Sequence, residues 1–198
     1  MNFSVFSGDS VYKGTRLGLF GHCAVGLAAK PVAPQVPLGV LLLATEILDI
    51  FATAFVYAGI EGGAMTGNPW SHGLFMSVVW SLVAALLVAR IYRSKRAGTV
   101  VGLLVFSHWM LDFVSHPIPF PSFSWRTWQW SYGHRLPPDL PLLFAGSPKV
   151  GLGLYNSMSA VEATVLELGM VLLGLAVYVS YIVKKRRNRR PSKRMKFS

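Results

Sequence analysis

Apolar residues gather into five stretches along the chain, separated by short runs of proline, glycine and charge. Three of the stretches, 38–60, 71–92 and 160–183, reach the length of about 20 residues that a helix needs to cross the hydrocarbon core of a bilayer. A fourth, 98–116, is shorter and carries a set of polar residues. The fifth, 16–30, extends only about 22 Å as a helix at 1.5 Å per residue. It reads as a short buried helix, a re-entrant hairpin or a tilted partial span. Breakers agree with these limits: Pro31, Pro34 and Pro37 precede the first long stretch, and Gly62, Gly63, Gly67 and Pro69 close the turn before the second. Residues 117–150 contain PIPFPSFSWRTWQW and RLPPDLP, which predict an irregular interfacial loop with Trp and Tyr at head-group depth. The pattern predicts an all-α fold: a polytopic membrane helical bundle with about four to five transmembrane or partly embedded helices. Residues 1–183 form its single membrane-embedded domain, and 184–198 a basic tail.

Composition strengthens this reading. Of the 198 residues 53% are hydrophobic and only 14% charged, against about 25% charged in an ordinary soluble domain. The net charge of +11 is largely local, because residues 184–196 hold nine of the nineteen basic residues and no acid. Such a run directly after an apolar stretch is a cytoplasmic topology anchor, able to bind anionic lipid head groups. No folded basic surface accompanies it, so no nucleic-acid partner is expected. The single Cys23 excludes an internal disulfide and a Cys-rich zinc site. The first residues lack a basic region ahead of a clean apolar run, so no cleavable signal peptide is expected.

Charge also predicts orientation. The basic run 90–96 and the tail belong in the cytoplasm, which sends stretch 71–92 inward, 98–116 outward, 160–183 inward and 38–60 outward. The aromatic loop then faces outside. The expected location is a bacterial or archaeal inner membrane, with the C-terminus cytoplasmic and membrane lipids as the immediate partners.

Ionisable residues inside the apolar stretches point to chemistry, since each costs about 3 kcal/mol in lipid even on the mildest scales. His108, Asp112 and His116 are spaced i, i+4, i+8, and Glu46 and Asp49 i, i+3; each set shares one helix face. His72 stands at the outer end of its helix, Glu162 and Glu167 in the outer third of theirs, and His22 in the short stretch. All can converge in the outer half of the bundle, as inward-pointing carboxylates and imidazoles do in helical metal sites. Imidazole nitrogen and carboxylate oxygen suit a divalent metal, zinc first, with manganese or iron as alternatives. The candidate ligands are His22, Asp49, His72, His108, Asp112 and His116, and Glu46 or Glu162 is the candidate general base for a metal-bound water. The set is large enough for two metals. Bland readings stand beside these: Glu162 as a helix cap, His72 as an interfacial residue, His22 as a buried histidine, and His134 as a surface residue.

The order of these residues resembles the YdjM-like family of inner-membrane metal-dependent hydrolases. That family's pattern runs His-x-x-x-Gly, an acidic Pro-Asp-x-Asp segment, a His-Ser-type element opening a helix, and His-x-x-x-Asp. The counterparts are His22 to Gly26, Glu46-Ile-Leu-Asp49, Ser71-His72-Gly73 and His108 to Asp112, within residues 20–116. Glu46-Ile-Leu-Asp49 departs from Pro-Asp-x-Asp, and Asn68 stands where a further His often occurs. The ligand order is also similar to that of zinc-dependent phospholipases C and related nucleases. The resemblance implies a membrane-embedded metal-dependent hydrolase acting on a phosphoester or phospholipid near the outer leaflet. The alternatives are a proton- or ion-coupled transporter, with Glu46 and Asp49 in a relay, a haem-binding membrane protein and a non-enzymatic scaffold.

Overall fold

The computed structural model describes residues 18–60, 70–115 and 152–189. Among them there are five α-helices and no strand: α1 (Gly18–Ala29), α2 (Leu38–Tyr57), α3 (Leu74–Ile91), α4 (Lys95–Ser115) and α5 (Ala160–Arg189), with a 3-10 turn at Leu154–Ser157 before α5. The fold is the expected all-α bundle. Helices α2 to α5 are each long and apolar enough to cross a membrane. The 12 residues of α1 cover about 18 Å, less than the hydrocarbon thickness of about 30 Å.

The exposed surface is that of a protein surrounded by lipid. Leu82, Leu86, Leu87 and Ile91 of α3, and Val161, Val165, Leu172, Leu173 and Val183 of α5, are exposed large apolar side chains. A water-facing surface seldom carries so much contiguous apolar area. Helix α4 is the central one. Half of its apolar window is buried, against 11–28% for the other long helices, and it packs against α1, α2 and α3.

Small residues set how closely the helices approach. A side chain at Gly98 of α4 would overlap the carbonyl oxygen of Ala85 and the side chain of Ala89 on α3. Gly174 of α5 lies equally close to the Ala24 carbonyl of α1. Small residues at such crossings are how helices gain contact in lipid, where no water is left to drive them together.

Helix α4 begins three residues earlier than the apolar stretch predicts. The cause is Ser94, whose Oγ accepts from the Ala97 N–H at 3.2 Å and so satisfies one of the first unpaired amides of the helix. Gln35 Nε2 donates to the same oxygen at 3.1 Å, fastening the α1–α2 connection to the α3–α4 turn. In that connection the Lys30 ammonium donates to the Pro34 and Val36 carbonyls. Helix α5 runs on into the basic segment as far as Arg189, beyond the expected end at 183. Arg and Lys are good helix formers, and Arg186, Arg187 and Arg189 in the last turn suit its negative dipole end.

Three basic groups share one end of the bundle. The Gln35–Ser94 contact puts Lys30 beside the 90–96 run. Gly21 faces Met170 and Gly174 faces Ala24, so α1 and α5 run parallel and the basic end of α5 lies at that same end.

Candidate metal centre

The polar residues meet in the opposite half of the bundle. His22 comes from α1, Glu46 and Asp49 from α2, His72 from the turn before α3, and His108 and Asp112 from α4. The three histidines and Asp112 are buried, at 1–4% exposure. Asp49 is the most open member, its side chain 33% exposed.

Four atoms form the tightest set: Asp49 Oδ1, His72 Nε2, His108 Nε2 and Asp112 Oδ2. Asp49 Oδ1 lies 3.1 Å from His72 Nε2 and 3.5 Å from His108 Nε2. Asp112 Oδ2 lies 3.5 Å and 3.4 Å from the same two nitrogens, which are 3.3 Å apart. A tetrahedral zinc with bonds of about 2.0–2.1 Å sets its ligand atoms about 3.3–3.4 Å apart. The five separations centre on that edge length, while Asp49 and Asp112 belong to two different groups of mutually close donor atoms that share His108.

Hydrogen bonds behind the imidazoles decide which nitrogens are presented. His108 Nδ1 lies 2.6 Å from the Thr45 carbonyl oxygen, which can only accept, so Nδ1 carries the proton and Nε2 offers a lone pair. His72 Nδ1 lies 2.9 Å from Ser71 Oγ, a hydroxyl able to donate or accept, and its Nε2 faces Asp49 Oδ1 at hydrogen-bond distance, 3.1 Å. Outer partners of this kind fix the tautomer and orientation of metal-bound histidines. His108 Nε2 thus faces two carboxylate oxygens and a second imidazole nitrogen. A single proton serves such a crowd of acceptors poorly, whereas a cation at their centre satisfies all of them.

His22 joins from the side. Its Nε2 lies 3.4 Å from Asp112 Oδ1, its Nδ1 4.0 Å from Glu46 Oε2, and its ring centroid 3.9 Å from that of His108. Glu46 Oε1 accepts from Cys23 Sγ and Thr45 Oγ1, each at 3.4 Å. His22, Glu46, Asp49 and His108 each offer a donor atom within 4.8 Å of the others, as do His72, His108 and Asp112. These groups are close enough to hold a metal ion.

One expected residue stands elsewhere. Glu162 is exposed and caps α5: its Oε2 accepts from the Ser159 N–H at 2.7 Å, while the Ser159 Oγ accepts from the Glu162 N–H at 3.3 Å. This is a reciprocal capping box, and a carboxylate in the first turn also suits the helix dipole. His116 and His134 lie outside the described residues.

Sequence reasoning named Glu167 but missed its partner, Tyr155. Glu167, 1% exposed, accepts from the Tyr155 hydroxyl at 3.0 Å. Burial, with the Glu167 carboxylate beside it, pushes the Tyr155 phenol above its usual range, so it stays a donor. Nothing in the spacing of Tyr155 marks it. It is delivered by the 3-10 turn, and that region is pinned to α4 through Leu152 N–H and the Phe113 carbonyl at 2.8 Å.

A groove of about 410 Å³ leads away from the cluster along one face of α2, lined by Glu46, Asp49, Ile50, Thr53 and Ala54. Glu46 and Asp49 form its acidic end, and Ile50, Thr53 and Ala54 line the rest.

No family model matches the chain, and neither curated proteins nor solved structures match it.

Proposed function

We propose that this protein is a membrane-embedded, metal-dependent hydrolase acting on a lipid phosphoester. Asp49, His72, His108 and Asp112 hold a divalent ion, zinc first, with manganese or iron as alternatives. The observation that carries the reading is the four-atom set, in which lone pairs and carboxylate oxygens face one another at metal-shell spacing. Burying that many acceptors without a cation is costly. A zinc ion held there would supply Lewis acidity, lowering the pKa of a water at the site to about 7. Glu46 and Glu167 border the cluster and are the carboxylates placed to accept a proton; Glu162 is engaged as a helix cap instead.

A lipid substrate is supported by the groove, which offers an acyl chain an apolar path whose end meets Asp49. With the basic end in the cytoplasm of a bacterial or archaeal inner membrane, the cluster lies in the outer half and the basic tail meets anionic head groups. This reading agrees with the resemblance to the YdjM-like hydrolases. A haem would need clear space between its axial imidazoles, and His72 and His108 Nε2 are only 3.3 Å apart with carboxylates beside them.

The test is phosphate or head-group release from phospholipid in mixed micelles, with zinc supplied, wild type against His108→Ala. Release lost in the variant is the expected result. Equal release from both, or none from the zinc-loaded wild type across phosphomonoester and phosphodiester lipids, contradicts the proposed activity.

A further inference from the structure

We infer a second cation position in the same cluster, between His22 Nδ1 and Glu46 Oε2, with Asp49 common to both ions. The inference rests on the metal-centre reading above and extends it from one ion to two.

The first observation is a pair of buried polar atoms. His22 Nδ1 and Glu46 Oε2 are shielded from solvent and have no hydrogen-bond partner among the described residues. They face each other at 4.0 Å, too far for a hydrogen bond but close enough for one ion to reach both with a small inward shift. His22 itself is 3% exposed, so no water-facing role explains the bare nitrogen.

The second observation is the tautomer. His22 Nε2 lies 3.4 Å from Asp112 Oδ1, an oxygen that can only accept while the carboxylate is charged. The two oxygens of Asp112 therefore serve different partners. Oδ2 faces His72 and His108, and Oδ1 faces His22 Nε2. A carboxylate behind a histidine in this way leaves the other ring nitrogen as a metal ligand. That nitrogen is Nδ1, the unpartnered one.

The third observation is charge. Glu46, Asp49 and Asp112 stand in the cluster, and every ion pair found among the described residues is between a histidine and a carboxylate. No Lys or Arg among the described residues pairs with them. Three carboxylates gathered in one cluster exceed the charge that a single divalent ion offsets. Uncompensated charge at bilayer depth is costly. Asp49 belongs both to the tight four-atom set and to the group of His22, Glu46 and His108, which makes it the shared ligand. Glu46, once a ligand, leaves Glu167 as the carboxylate free to accept a proton.

The experiment loads the full-length protein, purified in detergent, with Mn²⁺, and reads bound manganese by mass spectrometry and by electron paramagnetic resonance. We expect two ions per chain and an exchange-coupled spectrum. Glu46→Gln, which keeps shape but removes the charge, should reduce this to one ion with the spectrum of isolated Mn²⁺. Wild type that saturates at one uncoupled ion overturns the second position alone and leaves the first centre standing. No bound manganese at all overturns both.

Discussion

His108 is held in place by the main chain of a neighbouring helix, its Nδ1 2.6 Å from the Thr45 carbonyl oxygen. A side-chain substitution cannot remove a carbonyl, so the orientation of this imidazole is built into the packing of α4 on α2. His72 lacks that security. Its Nδ1 partner is the Ser71 hydroxyl at 2.9 Å, which a single substitution deletes. Ser71→Ala should weaken metal binding about 10- to 100-fold, the usual effect of losing an outer partner. Competition against a zinc chelator measures it, and unchanged affinity would mean that Ser71 does not orient the ring.

Glu162 offers a contrast. Its carboxylate is engaged by the Ser159 amide and hydroxyl, at 2.7 and 2.8 Å. Glu162→Ala should therefore leave metal content and turnover near wild type, while Ser159→Ala should cost stability on the order of 1 kcal/mol, as cap losses do. A loss of turnover in Glu162→Ala at full metal content would restore this residue to the catalytic set.

Tyr155 should titrate late. Its phenol is half-buried and donates to Glu167, so its folded-state pKa lies above the unfolded value of about 10. The sign follows: the stability it contributes is fully present below pH of about 10 and is lost as pH rises through the higher folded value. In an ultraviolet titration, wild type minus Tyr155→Phe should show no phenolate absorbance in the range where ordinary tyrosines ionise. A normal tyrosine curve in that difference would show that the Glu167 contact does not form.

The helix crossings make a further prediction. Gly98→Leu has no room against Ala85 and Ala89, while Gly169, which has nothing within 4 Å, should accept Leu freely. Overpacking costs about 1–3 kcal/mol or more. His72 immediately precedes α3 and His108 sits on α4, so Gly98→Leu should lower both thermal stability and metal content, and Gly169→Leu neither. Equal behaviour of the two variants would contradict the packing.

Much of the bundle was legible because its signals are local. Length and hydropathy alone located α2, α3 and α5, since lipid demands about 20 apolar residues per crossing. His108 and Asp112 fell on one face from their spacing, and they do lie together, 3.4 Å apart. What stayed hidden depends on neighbours far away in sequence. No pattern in residues 38–57 tells that the Thr45 carbonyl will meet His108, 63 positions later. Glu162 and Glu167 read alike in the sequence. Only the packing of α5 on α1 separates them, turning Glu167 inward to Tyr155 and leaving Glu162 to cap the helix start. The early start of α4 escaped because a hydropathy pattern does not weigh a serine cap.

The central claim is that Asp49, His72, His108 and Asp112 hold a divalent metal. The most direct test is metal content by mass spectrometry of detergent-purified wild type beside His108→Ala and Asp112→Ala, with circular dichroism to confirm that the helices are retained. We expect stoichiometric metal in wild type and its loss in both variants at unchanged helix content. Full metal content in both variants, or none in wild type after reconstitution, would contradict the claim.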